Sequence, residues 1–205
     1  AARNGTRAGK AQDFLCVLSG VPIPRGYIRE EGKAGRLGAR LMAVIGEGVR
    51  ERVYLPPSEP QEKAALLAAR NPGVQEAGKT FLSGTTPNRA MITGGVCSAY
   101  GLSTWGHLFT PRQIMALTTF ADLVPEVRER VRLDALSAGT VDDRKPLAGG
   151  GSGATAYADA ISTYLGFLVS KLADKGSTLC TWDAGPASSR TASGRSARVA
   201  TVRVT

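Results

Sequence analysis

The residues best suited to chemistry inside the body of the chain are five basic side chains spaced three or four positions apart. They are Arg25, Arg29, Lys33, Arg36 and Arg40. Glycines at positions 32, 35 and 38 lie among them, and backbone amides at glycine can approach a phosphate closely. The pattern predicts contact with nucleic acid. Glu30 and Glu31 lie in the same stretch, so a solvated and partly self-paired turn before the next element is an equally consistent interpretation.

The only histidine, His107, lies in the stretch "YGLSTWGHLFTPRQIMALTTFADLV", which runs from Tyr100 to Val124. Ser103 and Thr104 are close in sequence, but no nucleophile-elbow pattern surrounds them. A catalytic triad also requires a positioned carboxylate, and the sequence marks none. We therefore predict that His107 packs against or caps a loop, and we assign no catalytic residue.

Metal binding has weak support in the sequence. Zinc requires about four ligands, usually delivered as close pairs. The candidates are Cys16, Cys97, His107 and Cys180, which are widely spaced, and Ser19 stands where a second thiolate would follow Cys16. We assign no metal ligand and expect reduced thiols.

The glycine-rich loop "PLAGGGSGA", Pro146 to Ala154, precedes a helical pattern. Such loops bind S-adenosylmethionine or phosphates at a helix N-terminus. The preceding "TVDDRK" is too polar for the buried strand that such a site requires, and no Gly-Lys-Ser/Thr ending follows. A flexible connection is the favoured interpretation, so no cofactor is expected in this chain.

The net charge of +9 suggests a polyanionic partner, but its position along the chain weakens that suggestion. The two ends supply seven positive charges and no acidic residue, whereas residues 13–188 hold 19 basic and 17 acidic residues. Specific contact with DNA therefore depends on a local cluster. No apolar run reaches the ~20 residues of a membrane span, and no secretory leader is visible, so we expect a cytoplasmic protein without a membrane partner.

Local patterns predict a β-hairpin and then a short helix. The runs "ARLMAVI" and "ERVYL" resemble strands separated by residues 46–48. Ser58 and Gln61 form a capping-box pattern after Pro56-Pro57, and Asn71-Pro72 is expected to end that helix. From residue 73 to residue 106 no period is dependable, so we predict loop with one strand.

Two long amphipathic helices follow. Thr110, Pro111 and Gln113 give a capped start, with Phe109 and Ile114 as a hydrophobic staple. The first helix carries an apolar stripe and a helix-bending proline, and Gly139 ends it. The second runs from Ala154 to Lys175. The stripes are Leu117, Phe120, Val124, Val127 and Val131 on the first helix, and Tyr157, Ile161, Tyr164, Leu168 and Leu172 on the second.

These elements predict an α+β fold in which a hairpin-containing part precedes a long antiparallel helix pair, with disordered termini. The predicted organisation is a loose basic arm at 1–12 and a part with the hairpin, short helix and loops at 13–106. The helical pair follows at 107–182, and a disordered basic tail at 183–205. We expect the hairpin to pack against the pair, and Phe120 to belong to the core.

Four stretches together resemble the middle region of adenine-specific DNA methylases that begin with a domain of unknown function. They are "IPRGYIREEGKAGRLGARLMAVIGEG", "RVYLPP", "YGLSTWGHLFTPRQIMALTTFADLV" and "GATAYADAISTYL". The resemblance runs in order from about Arg3 to Trp182. It implies full-length relatives that are S-adenosylmethionine-dependent enzymes of a Rossmann-like class, some of them linked to defence against phage.

The chain departs from that family at the positions that carry catalysis. The family's cofactor loop, Asp-Pro-Phe-Ala-Gly, and its Asp-Pro-Pro-Tyr loop do not occur here. Some relatives carry a Cys-x-x-Cys knuckle where this chain has Cys16 and Ser19, Pro125 replaces an ordinary helix former, and the sequence after Trp182 loses its apolar character. We therefore expect a truncated or frameshifted, non-catalytic fragment that shapes or positions DNA for the remaining part of a methylase. The alternative is an independent nucleic-acid-binding or adaptor module.

Overall fold

A computed structural model describes residues 6–8, 13–47, 49, 52–87 and 96–180. The predicted α+β class is confirmed, since small antiparallel sheets precede long helices. The predicted tail at 183–205 and most of the predicted arm at 1–12 lie outside the described residues. Within that arm, Arg7–Ala8 forms strand β1 and pairs with the following strand, because Arg7 lies opposite Phe14 and Ala8 opposite Asp13.

Among its described residues, the N-terminal half contains two small sheets. Strands β2, Asp13–Leu15, and β3, Pro22–Ile23, complete an antiparallel sheet with β1. The predicted hairpin is present as β4, Val44–Glu47, and β5, Arg52–Leu55, which pair antiparallel from Val44 opposite Leu55 to Glu47 opposite Arg52. Strand β5 lies within the run ERVYL, whereas β4 begins five residues after the start of ARLMAVI and includes two of the residues that were expected to separate the strands.

Residues Arg25–Lys33 form helix α1, which was not predicted from the sequence: a solvated turn before the hairpin was one of the two interpretations of this stretch. Helix α2, Glu59–Leu67, begins with the predicted capping box of Ser58 and Gln61 and continues into a 3₁₀ turn at Ala68–Arg70. Asn71-Pro72 then starts a new helix as well as ending the old one. The Asn71 side chain accepts from the amides of Gly73 and Val74 at 2.9 and 3.3 Å, and Pro72 fills the first position of α3, Pro72–Lys79.

The expectation of loop between residues 73 and 106 is wrong in part, because α3 and the short helix α4, Val96–Ala99, fall within this range. Thr85 bridges Thr104 there. Two hydrophobic clusters order this region and share Phe109. One comprises Val74, Ala77 and Ile114, and the other comprises Cys97, Leu102 and Leu108. Burial of Val74 and Ala77 against Ile114, and of Cys97 against Leu102 and Leu108, accounts for these helices better than local periodicity does.

The two long helices are α5, Pro111–Ser137, and α6, Ala154–Lys175. Thr110 and Gln113 form the predicted capping box, and α5 runs on through Pro125. The pair is antiparallel, because the amide of Thr178, after α6, donates to the carbonyl of Leu108, before α5. At the other end the Ala154 amide donates to the Val141 carbonyl. A 3₁₀ turn at Leu147–Gly149 lies in the connection.

The predicted contact faces are offset from the observed ones. Phe120 is 49% exposed and Tyr164 is 72% exposed, so neither belongs to the core. Helix α6 instead buries small residues, including Ala154 and Ala158. Small side chains on α6 allow α5 and α6 to approach closely. Most large residues of the predicted α6 stripe therefore face outward. The hairpin was expected to pack against the helical pair. Its residues Val44 and Ile45 line a cavity together with Ala64 of α2 and with Arg112 in the first turn of α5.

Candidate nucleic-acid interface

Helix α1 brings three of the five predicted basic residues onto one side. Arg25, Arg29 and Lys33 are four positions apart, and a spacing of four places side chains one above another on a helix. Arg25 and Arg29 are half-buried, whereas Lys33 is exposed. The three residues form a line of positive charge, here called the basic stripe.

The N-terminal end of α1 is held by a carboxylate. Asp13 Oδ1 accepts from the Arg25 amide at 3.1 Å, although Asp13 precedes the helix by twelve residues. This contact joins strand β2 to the positive end of the helix dipole. The position that a phosphate would take at the helix end is therefore already filled by Asp13, and the side of the helix, rather than its end, is the available basic surface.

Helix α1 is fixed to the segment after α4 by two glycines in close contact. A Cβ atom at Gly32 would lie 2.6 Å from the carbonyl oxygen of Tyr100. Gly101 has a φ of +73°, and a Cβ atom there would lie still closer to the Gly32 carbonyl oxygen. Real Cβ atoms do not approach backbone this closely, so only glycine fits at either position. This close backbone contact determines the position of the basic stripe.

Tyr100 supports the middle of the stripe. The guanidinium carbon of Arg29 lies 5.5 Å from the centre of the Tyr100 ring, within the range of a cation–π interaction. Arg29 Nε is buried and has no hydrogen-bond partner among the described residues. Among those residues, no carboxylate forms an ion pair with Arg29 or Lys33. The ring positions the Arg29 guanidinium without neutralising its charge.

The other two predicted residues have carboxylate partners. Arg36 Nε and Nη2 donate to the two carboxylate oxygens of Glu31, each at 2.7 Å. These hydrogen bonds lower the pKa of Glu31 and raise that of Arg36. Arg40 Nη2 lies 3.7 Å from Glu62 Oε1 on α2. The structure therefore divides the predicted cluster into the basic stripe and two paired arginines.

Sequence reasoning did not identify Tyr100 and Asp13 as parts of this site. Tyr100 is separated from Arg29 by more than seventy residues, and no local pattern joins them. The only visible signal was the pair of glycines at positions 32 and 101, which marks close backbone approach but does not reveal that each glycine faces the other. Long-range contact of this kind becomes visible only in the fold.

The glycine-rich loop before α6 is filled by acidic side chains from the same connection. Asp142 accepts from the Thr155 amide at 3.1 Å and from its hydroxyl at 3.0 Å, and Asp143 accepts from the Ser152 amide at 3.1 Å. A Cβ at Gly153 would lie 2.6 Å from the Val141 carbonyl, so this glycine allows the chain to pass itself. The amides that a bound phosphate would require already donate hydrogen bonds to these carboxylates. This favours the interpretation of the loop as a connection.

His107 caps the 3₁₀ turn at Trp105–Leu108, as the sequence predicted. Its Nδ1 accepts from the amides of Ser103 and Thr104 at 3.2 and 3.3 Å. Of the other metal candidates, Cys97 is buried among Leu102 and Leu108, while Cys16 and Cys180 are half-buried. Within the described ranges, no group of three or more histidine, cysteine, aspartate or glutamate residues is arranged to hold a metal ion.

A shallow apolar cavity of about 410 Å³ lies between α2 and the start of α5. Leu37, Leu41 and Leu66 contribute apolar walls, while Arg40, Glu62 and Arg112 stand at its polar side. Arg40 and Glu62 line this cavity as an ion pair, 3.7 Å apart, so Arg40 is not part of the basic stripe.

Comparison of the chain with protein-family models, curated proteins and solved structures gives no match. Among the helices of the described residues, none has the length and apolar character required to cross a bilayer.

Proposed function

We propose that the chain is a non-catalytic DNA-binding part of an adenine-specific methylase-like protein and that the basic stripe contacts the DNA backbone. One observation carries the proposal: Arg25, Arg29 and Lys33 lie along one side of α1. Arg29 and Lys33 have no carboxylate partner among the described residues. Phosphate contacts supply most of the affinity of sequence-independent binding.

Rigid placement of Arg29 favours recognition over diffuse attraction. A flexible arginine loses side-chain entropy when it binds a phosphate, whereas a guanidinium already resting on an aromatic ring loses less. Tyr100 provides that ring, and the close contact of Gly32 with Gly101 holds the ring beside the helix. The stripe is therefore presented by a supported helix.

A role in positioning DNA, rather than modifying it, is supported by the residues that the sequence lacks. The Asp-Pro-Phe-Ala-Gly and Asp-Pro-Pro-Tyr loops of the resembled methylases are missing, and His107 is engaged in a local cap. The S-adenosylmethionine and the reacting groups would then belong to the remaining part of the methylase. Methyl transfer from labelled S-adenosylmethionine to DNA by this chain alone should be undetectable, and measurable turnover would overturn this role.

The DNA interface is tested by salt-dependent binding to duplex DNA with the full chain. Because log affinity falls with log salt by about 0.9 per phosphate neutralised, Lys33→Gln should reduce that slope by close to 0.9. Arg36→Gln is the matched control, since it removes the same charge from a residue already paired with Glu31. Glu31→Gln should have the opposite effect, because it releases Arg36 to bind a phosphate. Equal slopes for Lys33→Gln and Arg36→Gln would show that only the overall positive charge matters.

The coding sequence on either side of this chain distinguishes a part of a methylase from an independent nucleic-acid-binding or adaptor module. The two missing loops, found in any reading frame next to this coding sequence, would support a part of a methylase. Their absence from both sides would favour the independent module, which would use the same basic stripe.

A further inference from the structure

The turn between β2 and β3 presents apolar side chains to solvent. Leu18 is 92% exposed, and its neighbours Val17 and Val21 are 54 and 59% exposed. No residue from position 14 to position 24 carries a charged side chain. Contiguous exposed apolar residues of this kind mark interaction surfaces. Residues 16–21 are called the apolar tip.

The apolar tip is a closed turn with a defined shape. The Cys16 amide donates to the Val21 carbonyl at 2.9 Å, and the Gly20 amide donates to the Cys16 carbonyl at 2.8 Å. Gly20 has a φ of +71°, a left-handed conformation that glycine adopts without strain. A turn that is already ordered loses little conformational entropy when it binds. Leu18 is therefore held away from the protein in a preformed position.

The apolar tip is joined to the end of α1 at which the basic stripe begins. Strand β3 leads through the extended residue Pro24 into Arg25, the first residue of the helix. On the other strand, Asp13 accepts from the Arg25 amide at 3.1 Å. Both strands that carry the apolar tip are therefore fixed to the same end of the helix.

The separation between the apolar tip and the basic stripe suits one short stretch of duplex. Leu18 precedes Arg25 by seven positions, so even a fully extended chain separates them by no more than about 25 Å. Phosphates of one DNA strand are spaced about 3.4 Å apart along the helix axis, so this span covers about seven base pairs. The apolar tip and the basic stripe are therefore close enough to contact the same site on a duplex.

A further cation lies beside the strands that carry the apolar tip. Arg7 of β1 is exposed and lies opposite Phe14 of β2. In the part of the chain that the structure describes, no carboxylate forms an ion pair with Arg7. Positive charge therefore flanks these strands while the apolar tip itself is uncharged. This distribution favours DNA over a protein partner, because phosphates attract the cations and stacked bases offer an apolar surface to Leu18.

We infer, building on the proposed function, that the apolar tip inserts Leu18 between two adjacent base pairs from the minor groove and bends the duplex. Apolar side chains that enter a base step in this way partly unstack it and kink the DNA by about 20–90°. Insertion covers a leucine that is 92% exposed in the free protein, and this burial offsets part of the cost of unstacking. Pyrimidine–purine steps such as TA are easily unstacked, so the protein should prefer DNA that contains one.

Energy transfer across a labelled duplex measures the bend with the full chain. A duplex of about 20 base pairs, roughly 68 Å long at 3.4 Å per base pair, carries a central TA step and a fluorophore at each end. At protein concentrations that saturate binding, the wild type should raise the energy transfer because the two ends approach each other. It should also bind this duplex more tightly than one in which an AA step replaces the TA step.

Three variants assign the bend to Leu18. Leu18→Ala should keep the salt dependence of binding, which comes from the basic stripe, but should lose both the rise in energy transfer and the preference for TA. Leu18→Met keeps a long apolar side chain and should retain both. Val141→Ala is the matched control, since it shortens an apolar side chain that is 81% exposed in the connection between α5 and α6, and it should behave like the wild type. Circular dichroism should show the same helix content in all three variants.

The outcomes separate this inference from the proposed function. Absence of salt-dependent DNA binding by the wild type would overturn both. Salt-dependent binding with unchanged energy transfer would overturn insertion by the apolar tip and leave the DNA contact of the basic stripe in place. Equal bending by the wild type and Leu18→Ala would also overturn insertion, and a protein partner would then be the better occupant of the apolar tip.

Discussion

Arg128 of α5 and Asp159 of α6 form an ion pair across the helical pair, with Arg128 Nη2 2.6 Å from Asp159 Oδ1. The second carboxylate oxygen of Asp159 accepts from the Leu147 amide at 2.9 Å. One side chain therefore ties together both long helices and the connection between them. Asp159 is mostly buried, so the group is shielded from water on several sides.

Acid should loosen the helical pair through this aspartate. The Leu147 amide and Arg128 lower the pKa of Asp159. Because the folded-state pKa lies below the unfolded value, near 3.9, the contribution of Asp159 is fully present above that value. It is lost as the pH falls through the folded pKa. The thermal midpoint of the wild type should therefore fall steeply below about pH 4.

The variant Asp159→Asn tests the attribution. It should have a lower midpoint at pH 7 and a flatter dependence on pH below 4 than the wild type. Asp122→Asn, at an exposed position on α5, is the control and should keep the wild-type pH profile. Parallel profiles for the wild type and Asp159→Asn would mean that other carboxylates, such as Asp142, govern the acid transition.

Features encoded within a few residues were predictable from the sequence. Thr110 and Gln113 lie three positions apart, and the capping box that they form depends only on that spacing and on local backbone geometry. The hairpin and the bounds of α6 are equally local. The contact face of α6 was not predictable in the same way. Large apolar residues normally mark the buried side, but here Ala158 packs inward and Tyr164 outward, because a close helix pair favours small side chains at its seam.

The candidate site likewise combines features that the local sequence shows with features that depend on tertiary contacts. The basic residues were visible as a sequence cluster, but the sequence could not separate Arg29, which rests on Tyr100, from Arg36, which is neutralised by Glu31. A solvated turn was one of the two interpretations of the stretch where α1 forms. Gly32 is tolerated in that helix because Tyr100 and Gly101 pack where its side chain would be, and such a tertiary contact outweighs the intrinsic cost of glycine in a helix, about 1 kcal/mol.

Loss of the N-terminal cap should weaken α5 modestly. Thr110 Oγ1 accepts from the Gln113 amide, and Gln113 Oε1 accepts from the Thr110 amide at 2.7 Å. We expect Thr110→Ala to lower the free energy of unfolding by about 1 kcal/mol, measured by urea denaturation. Thr110→Ser keeps an oxygen acceptor and should stay close to the wild type. Equal losses for the two variants would indicate that the threonine methyl group, not the cap, matters.

Replacement of Gly101 should detach α1 from its support. Gly101→Ala adds a Cβ atom against the Gly32 carbonyl and also holds alanine at a positive φ. Gly35 is a matched control, since its φ of +69° is similar and no atom lies within 4 Å of a Cβ there. Gly35→Ala should therefore cost only the left-handed backbone penalty, about 1–2 kcal/mol, while Gly101→Ala should cost more in urea denaturation and should also weaken DNA binding. If Gly101→Ala and Gly35→Ala lost the same stability and bound DNA equally well, the contact between Gly101 and Gly32 would not determine the position of α1.

Helix α5 carries large apolar side chains at both buried and exposed positions. Ile114 is 7% exposed and packs with Val74 and Ala77, so Ile114→Ala should cost about 2–5 kcal/mol through lost burial and the cavity left behind. Phe120 is half exposed, and burial of half a phenylalanine is worth only about 1 kcal/mol, so Phe120→Ala should cost about that much. Urea denaturation of both variants measures the two costs. A loss for Phe120→Ala as large as that for Ile114→Ala would mean that Phe120 is covered in solution, which would contradict its exposed position on α5.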